Sequence, residues 1–103
     1  MDLRVRTERP ADGEVVLHVT GSIDIESRHE LLHAASESFT DDIAAWVVDL
    51  SQVTFMDSTG IAALVLVSND AEDNESRFVV RNPSPTVQRI LEVTGLLERW
   101  PDD

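Results

Sequence analysis

The stretch Thr54-Phe-Met-Asp-Ser-Thr-Gly-Ile-Ala-Ala-Leu64 decides how this chain is read. It begins where an apolar, strand-like run is ending and finishes inside a segment with helical character. Between them stand an acid, two hydroxyls and a glycine: Asp57, Ser58, Thr59 and Gly60. Upstream, Ala44 to Leu50 (AAWVVDL) is a continuous apolar run, short enough for a central strand buried on both faces. Downstream, a helix is expected from about Ser58 to Asp73. The quartet therefore sits at a strand-to-helix turn.

The same periodicities organise the rest. Leu3 to Glu8 alternates apolar and polar, and Pro10 with Asp12-Gly13 makes a turn before a second, β-branched strand, Glu14 to Ile23. These two strands predict a hairpin. From Asp24 to about Phe39 the period becomes helical, through Leu31, Leu32, Ala35 and Phe39, with Asp24 or Ser27 as the cap. Arg77 to Val80 reads as a short buried strand. A final amphipathic helix follows, opened by Pro85, carried by Val87, Ile90, Leu91 and Val93, and stopped by Gly95. The tail Leu96 to Asp103 has room for one helical turn. The order ββαβαβα implies one α/β domain over residues 1–103, with a small, mostly parallel mixed sheet of about four strands.

Composition excludes several functions. The chain has 103 residues, a formal net charge of −12 and no cysteine. Disulfides, thiol catalysis and thiolate-bound zinc are thereby ruled out. A chain this acidic gains nothing from phosphate backbones by counterion release, so nucleic acid is not an expected partner. No apolar run reaches the 18 or so residues of a membrane span, and the charged start MDLRVRTERP does not suit a signal peptide; a cytoplasmic protein is expected.

One motif competes with the quartet. His29 to His33 (HELLH) has the form of a zinc-protease helix, but no third ligand follows and the spacing turns Leu31, not the histidines, towards Ala35 and the core. Ser58 has no surrounding G-x-S-x-G and no partner base evident from spacing. No phosphate-binding glycine loop occurs. Neither an enzyme nor a cofactor is expected. For the quartet itself two readings stand equal on physical grounds. A Ser or Asp oxygen caps the helix, worth about 1 kcal/mol. Alternatively, a hydroxyl there accepts a phosphate, where free N–H groups favour an anion and Gly60 leaves room for another protein's active site.

At this stretch the chain resembles the STAS family, and within it the bacterial anti-sigma factor antagonists. Gly21-Ser-Ile-Asp24 is similar to the family's G-x-L/I-D at a strand end. Val47 to Leu64 (VVDLSQVTFMDSTGIAAL) resembles its strand followed by the D-S-S/T-G-I/L phosphorylation motif. Asn82 to Leu96 resembles its last helix, with L-x-x-T-G-L at the end. The resemblance implies an unphosphorylated form that binds an anti-sigma factor serine kinase and frees the sigma factor. It implies phosphorylation at Ser58 as the off-switch and a phosphatase as the reset. Asp24, Asp57, Ser58, Thr59, Gly60 and Ile61 would form the partner-binding surface on a chain that is a monomer by itself. The alternative is a non-switching STAS subunit of a transporter ATPase or a stress-signalling scaffold. One departure stands out. Family members often end the second helix with a basic run and a Gly-Gly turn; Ser68 to Arg77 (SNDAEDNESR) is acidic instead, with Asn74 expected to supply the left-handed turn and the surface beside the Ser58 motif altered.

Overall fold

Strand β1 (Leu3–Glu8) and strand β2 (Glu14–Ile23) form the expected antiparallel hairpin in this computed structural model, which describes residues 2–39 and 42–100. Gly13, at φ 77°, closes the turn, and its carbonyl accepts from the amides of Ala44 and Ala45 at 2.7 and 3.0 Å. Helix α1 (Arg28–Ser38), strand β3 (Ala45–Met56), helix α2 (Ser58–Asp73), strand β4 (Arg77–Arg81), helix α3 (Pro85–Thr94) and the short α4 (Leu96–Arg99) follow. The sheet order is β1-β2-β3-β4, with β2-β3 and β3-β4 parallel. This is a single α/β domain with a four-stranded mixed sheet. Among the described residues no helix is long and apolar enough to cross a membrane.

Alternation along the strands sorts the side chains to two faces. Val15, Leu17 and Val19 of β2, Trp46, Val48 and Leu50 of β3, and Phe78 and Val80 of β4 meet Leu31 and Ala35 of α1, Ala63, Leu64 and Val67 of α2, and Val87 and Leu91 of α3 in one core. On the other face Val16, Val47 and Val79 lie in register across three strands, form a separate buried cluster, and touch no helical residue of it. At one end of the core the rings of Phe39, Trp46, Phe78 and Trp100 pack in a row, with centroids 5.6, 5.6 and 5.2 Å apart; the first two pairs are stacked and Phe78 meets Trp100 edge to face at 64°. Ser38 Oγ accepts from Trp46 Nε1 at 2.8 Å and donates to the Ala35 carbonyl at 2.7 Å, so the buried indole N–H is satisfied.

Four expectations are corrected. β3 does not end at Leu50 but continues to Met56, because a bulge sets Leu50 and Ser51 against Val19 alone and the polar half still pairs with β2. Of the two expected caps, Ser27 and not Asp24 stands at the N-cap of α1, without a side-chain capping bond, so the helix starts at Arg28 and residues 25–27 form a turn held by the Asp24 carboxylate. Val93 is 82% exposed and lies off the stripe of Val87 and Leu91. The left-handed position after α2 is Glu75, at φ 59°, whereas Asn74 has φ −96°. By contrast, α2 has the expected bounds, and Gly95 ends α3 at φ 79°. Leu96 to Arg99 makes the single turn expected of the tail; Pro101 to Asp103 lie outside the described residues.

Candidate functional site

The quartet sits beyond the carboxyl end of β3, beside the carboxyl end of its parallel neighbour β2. Ile23 pairs with Met56 as the last rung, so Asp24 and Asp57 are the first residues off two adjacent strands. The Asp57 amide donates to the Ile23 carbonyl at 3.4 Å, which closes the gap between the two strand ends. In open sheets this edge is where binding residues collect, because loops there are freed from the ladder.

Asp57, not a hydroxyl, is the N-cap of α2. Its Oδ1 accepts from Thr59 N at 2.9 Å and from Gly60 N at 3.0 Å. Ile61 N already bonds to the Asp57 carbonyl at 3.0 Å. The expectation that free N–H groups wait at this helix start for a phosphate is therefore corrected: a carboxylate already occupies two of them. Ser58, at the first helical position, is relieved of capping. It is exposed, and its hydroxyl makes no hydrogen bond among the described residues.

Gly60 is also reassigned. It is buried, and a Cβ there would stand 2.5 Å from the Ile23 carbonyl oxygen and 2.6 Å from Met56 Cγ. Its bareness lets α2 pack onto the strand ends; it does not open space for an approaching protein. Thr59 and Ile61 are half-buried, Ile61 against the core.

Asp24 repeats the Asp57 pattern. Its Oδ1 accepts from Glu26 N and Ser27 N, both at 3.0 Å, and lies 3.1 Å from Ser27 Oγ. The Ser27 amide holds its carboxyl below the ordinary aspartate range, aided by the Ser27 hydroxyl and the Glu26 amide. Ser27 Oγ in turn donates to the Ser22 carbonyl at 2.7 Å, which ties this loop to β2.

Two apolar side chains that sequence reading did not single out flank the quartet. Ile25 is 67% exposed and Phe55 is 44% exposed; each lies within two residues of a capping aspartate. Ile25 had only its place between turn residues to signal it, and Phe55 fell in the unrecognised half of β3. On α2, Ala62 and Leu66 are exposed one and two turns beyond Ser58, so an apolar strip continues along that helix face. The acidic residues Asp70, Glu72, Asp73 and Glu75 come at its other end, about 20 Å further along by helical rise, not beside Ser58 as expected. His29 and His33 are exposed, His33 lying 3.3 Å from Glu37, and no group of three or more metal-ligating side chains gathers among the described residues.

Comparison with known proteins follows the same lines. Residues 7–98 match the family model described as "Mlab, STAS domain". A STAS-domain containing protein of Pseudomonas aeruginosa is 29% identical over 86 residues, covering 82% of this chain and 84% of that protein. An anti-sigma-B factor antagonist of Listeria monocytogenes is 24% identical over 96 residues, covering 93% and 84%. Among solved structures, an anti-sigma factor antagonist from Mycobacterium paratuberculosis superposes with a TM-score of 0.85 at 29% identity, over 98% of this chain and 85% of that one. The Bacillus cell fate determinant SpoIIAA in its phosphorylated form shares the fold, with a TM-score of 0.74 at 22% identity over 97% and 91%.

Proposed function

Because the chain belongs to the STAS domain family, we propose that it is an anti-sigma factor antagonist whose binding surface is centred on Ser58. In this reading the unphosphorylated form docks an anti-sigma factor that is also a serine kinase, and frees the sigma factor. Phosphorylation of Ser58 ends the complex, and a phosphatase restores it. The names of the relatives support the role, and one observation supports the residue. Ser58 is the exposed hydroxyl at a helix start whose capping is already done by Asp57. It is free to react without loosening the helix.

Asp57 also explains how the switch turns off. A phosphoserine adds about −1.5 to −2 charges at pH 7. With two first-turn amides taken by Asp57, the new anion stands beside a carboxylate and gains little from the helix. In a desolvating interface that repulsion need supply only about 2.7 kcal/mol to weaken binding a hundredfold. Ile25, Phe55, Ala62 and Leu66 would give the contact its apolar area, with Asp24, Thr59 and Ile61 at or just beneath its rim. Gly60 contributes from below by fixing the angle of α2.

The test is incubation with the cognate kinase and ATP, read by mass spectrometry. A single phosphate on Ser58, absent from Ser58→Ala, is expected. Phosphate on Thr59 instead, or a chain that co-purifies with a transporter ATPase and is never phosphorylated, would overturn the proposal.

A further inference from the structure

The sheet face opposite the helices holds a shallow basin of about 630 Å³, and its lining includes Arg4, Arg6, His18, Thr20 and Gln52. Strand register builds it. Arg4 lies opposite Thr20, which pairs with Gln52, while Arg6 lies opposite His18, which pairs with Asp49. The β2-β3 bulge falls between these two rows, where Leu50 and Ser51 face Val19, and it turns the strands at the basin floor.

The charges in this basin are unusual for the chain. Its net charge is −12 and it has eight cationic residues. Yet Arg4 and Arg6, two residues apart on one strand, make no hydrogen bond or ion pair among the described residues; Arg6 acts only at longer range, on Glu8. The nearby carboxylates, Glu8 and Asp49, are both held by His18, in the row of the basin that contains Arg6. His18 lies 2.6 Å from Glu8 through Nε2 and 3.5 Å from Asp49 through Nδ1. The row of Arg4, Thr20 and Gln52 contains no carboxylate. The repulsive field of the whole chain is screened beyond about 8 Å at physiological ionic strength, so the local donors decide what settles here.

The geometry points to a binding site for a small molecule bearing two phosphoryl groups. Two guanidinium forks set two residues apart on a strand, roughly 7 Å between their Cα atoms, match two anionic groups in one ligand. Phosphate oxygens suit the bidentate fork, and the Thr20 hydroxyl on β2 and the Gln52 amide on β3 supply neutral donors beside the arginines. The site is independent of Ser58, so it stands or falls separately from the proposed switch.

Inorganic pyrophosphate is the probe, titrated at constant ionic strength while backbone amide resonances are followed by NMR. Saturable shifts at residues 4, 6, 18, 20 and 52 are expected, with a Kd near or below about 1 mM. The Arg4→Gln/Arg6→Gln variant should bind at least about tenfold more weakly, while Arg89→Gln on α3 binds as wild type. Because Arg4 and Arg6 are exposed, the double variant should keep the wild-type melting curve. Non-saturating shifts, equal weakening by Arg89→Gln, or malonate binding as tightly as pyrophosphate would each overturn the assignment.

Discussion

Asp24 and Asp57 perform the same task one strand apart: each leaves its strand at the same rung and turns its Oδ1 back onto the amides two and three residues ahead. The distances are 3.0 and 3.0 Å at Asp24 and 2.9 and 3.0 Å at Asp57. Two parallel strands thus end in matched aspartate turns, and the Ser58 loop inherits its shape from both.

Asp57→Ala removes a cap from a 16-residue helix. The expected loss is about 1 kcal/mol, within a range of roughly 0.5–2, whereas Asp57→Asn keeps an accepting oxygen and loses less. Urea unfolding with unchanged m-values would measure it. Equal stability of Asp57→Ala and wild type would remove Asp57 as the cap.

Ser58→Ala should unfold with wild-type stability to within about 0.5 kcal/mol, since the hydroxyl bonds to nothing among the described residues. Ser58→Asp should also fold, yet bind the proposed anti-sigma partner at least about tenfold more weakly. Calorimetric titration separates the two variants; equal affinity for both would sink the electrostatic account of release.

Gly60→Ala forces a methyl against the Ile23 carbonyl and Met56. Over-packing of this kind costs about 1–3 kcal/mol. Thermal melting should show a drop of several degrees even without any partner present. A neutral melt would return Gly60 to the role of clearing space for a partner.

Ser38→Ala strips the Trp46 indole N–H of its acceptor at a fully buried site. Leaving such a donor unsatisfied costs about 1–3 kcal/mol. Ser38→Thr, which restores a hydroxyl, should recover some of that loss in the same denaturation assay.

The aspartate turn at residue 24 also sets a pH dependence. Its carboxyl is held below the ordinary value, chiefly by the Ser27 amide. A depressed folded pKa means the turn's contribution is present above the unfolded value, about 3.9, and is lost as pH falls through the lower folded one. Asp24→Asn should therefore flatten the acid limb of stability below about pH 4. If wild type and Asp24→Asn lose stability in parallel on acidification, the turn does not carry this effect.

Periodicity was enough for the hairpin, for both bounds of α2 and for the Gly95 stop, because each rests on local chemistry. It failed where tertiary pairing overrides composition. Ser51 to Phe55 falls outside the continuous apolar run that marks the strand, yet β2 supplies its ladder across a bulge. Residues 25–27 carry on a helical pattern, yet Asp24 captures their amides into a turn. The place of Ser58 at a strand-to-helix turn was legible from the sequence. The division of labour around it was not, because whether Asp57 or a hydroxyl caps, and which way Gly60 faces, depends on how Ile23 and Met56 meet in space. Arg4 and Arg6 were unreadable as a pair with Thr20 and Gln52 until register was known.

Both tryptophans, Trp46 near the start of β3 and Trp100 just after α4, lie in the one row of aromatic rings. Trp46 is ten residues before the last residue of that strand, roughly 30 Å from the Ser58 end by strand rise. The intrinsic fluorescence of this protein is therefore an optical probe of global unfolding that is blind to the proposed phosphorylation at Ser58. A phosphorylated and an unmodified sample should emit alike, so any spectral change on kinase treatment would have to come from the partner.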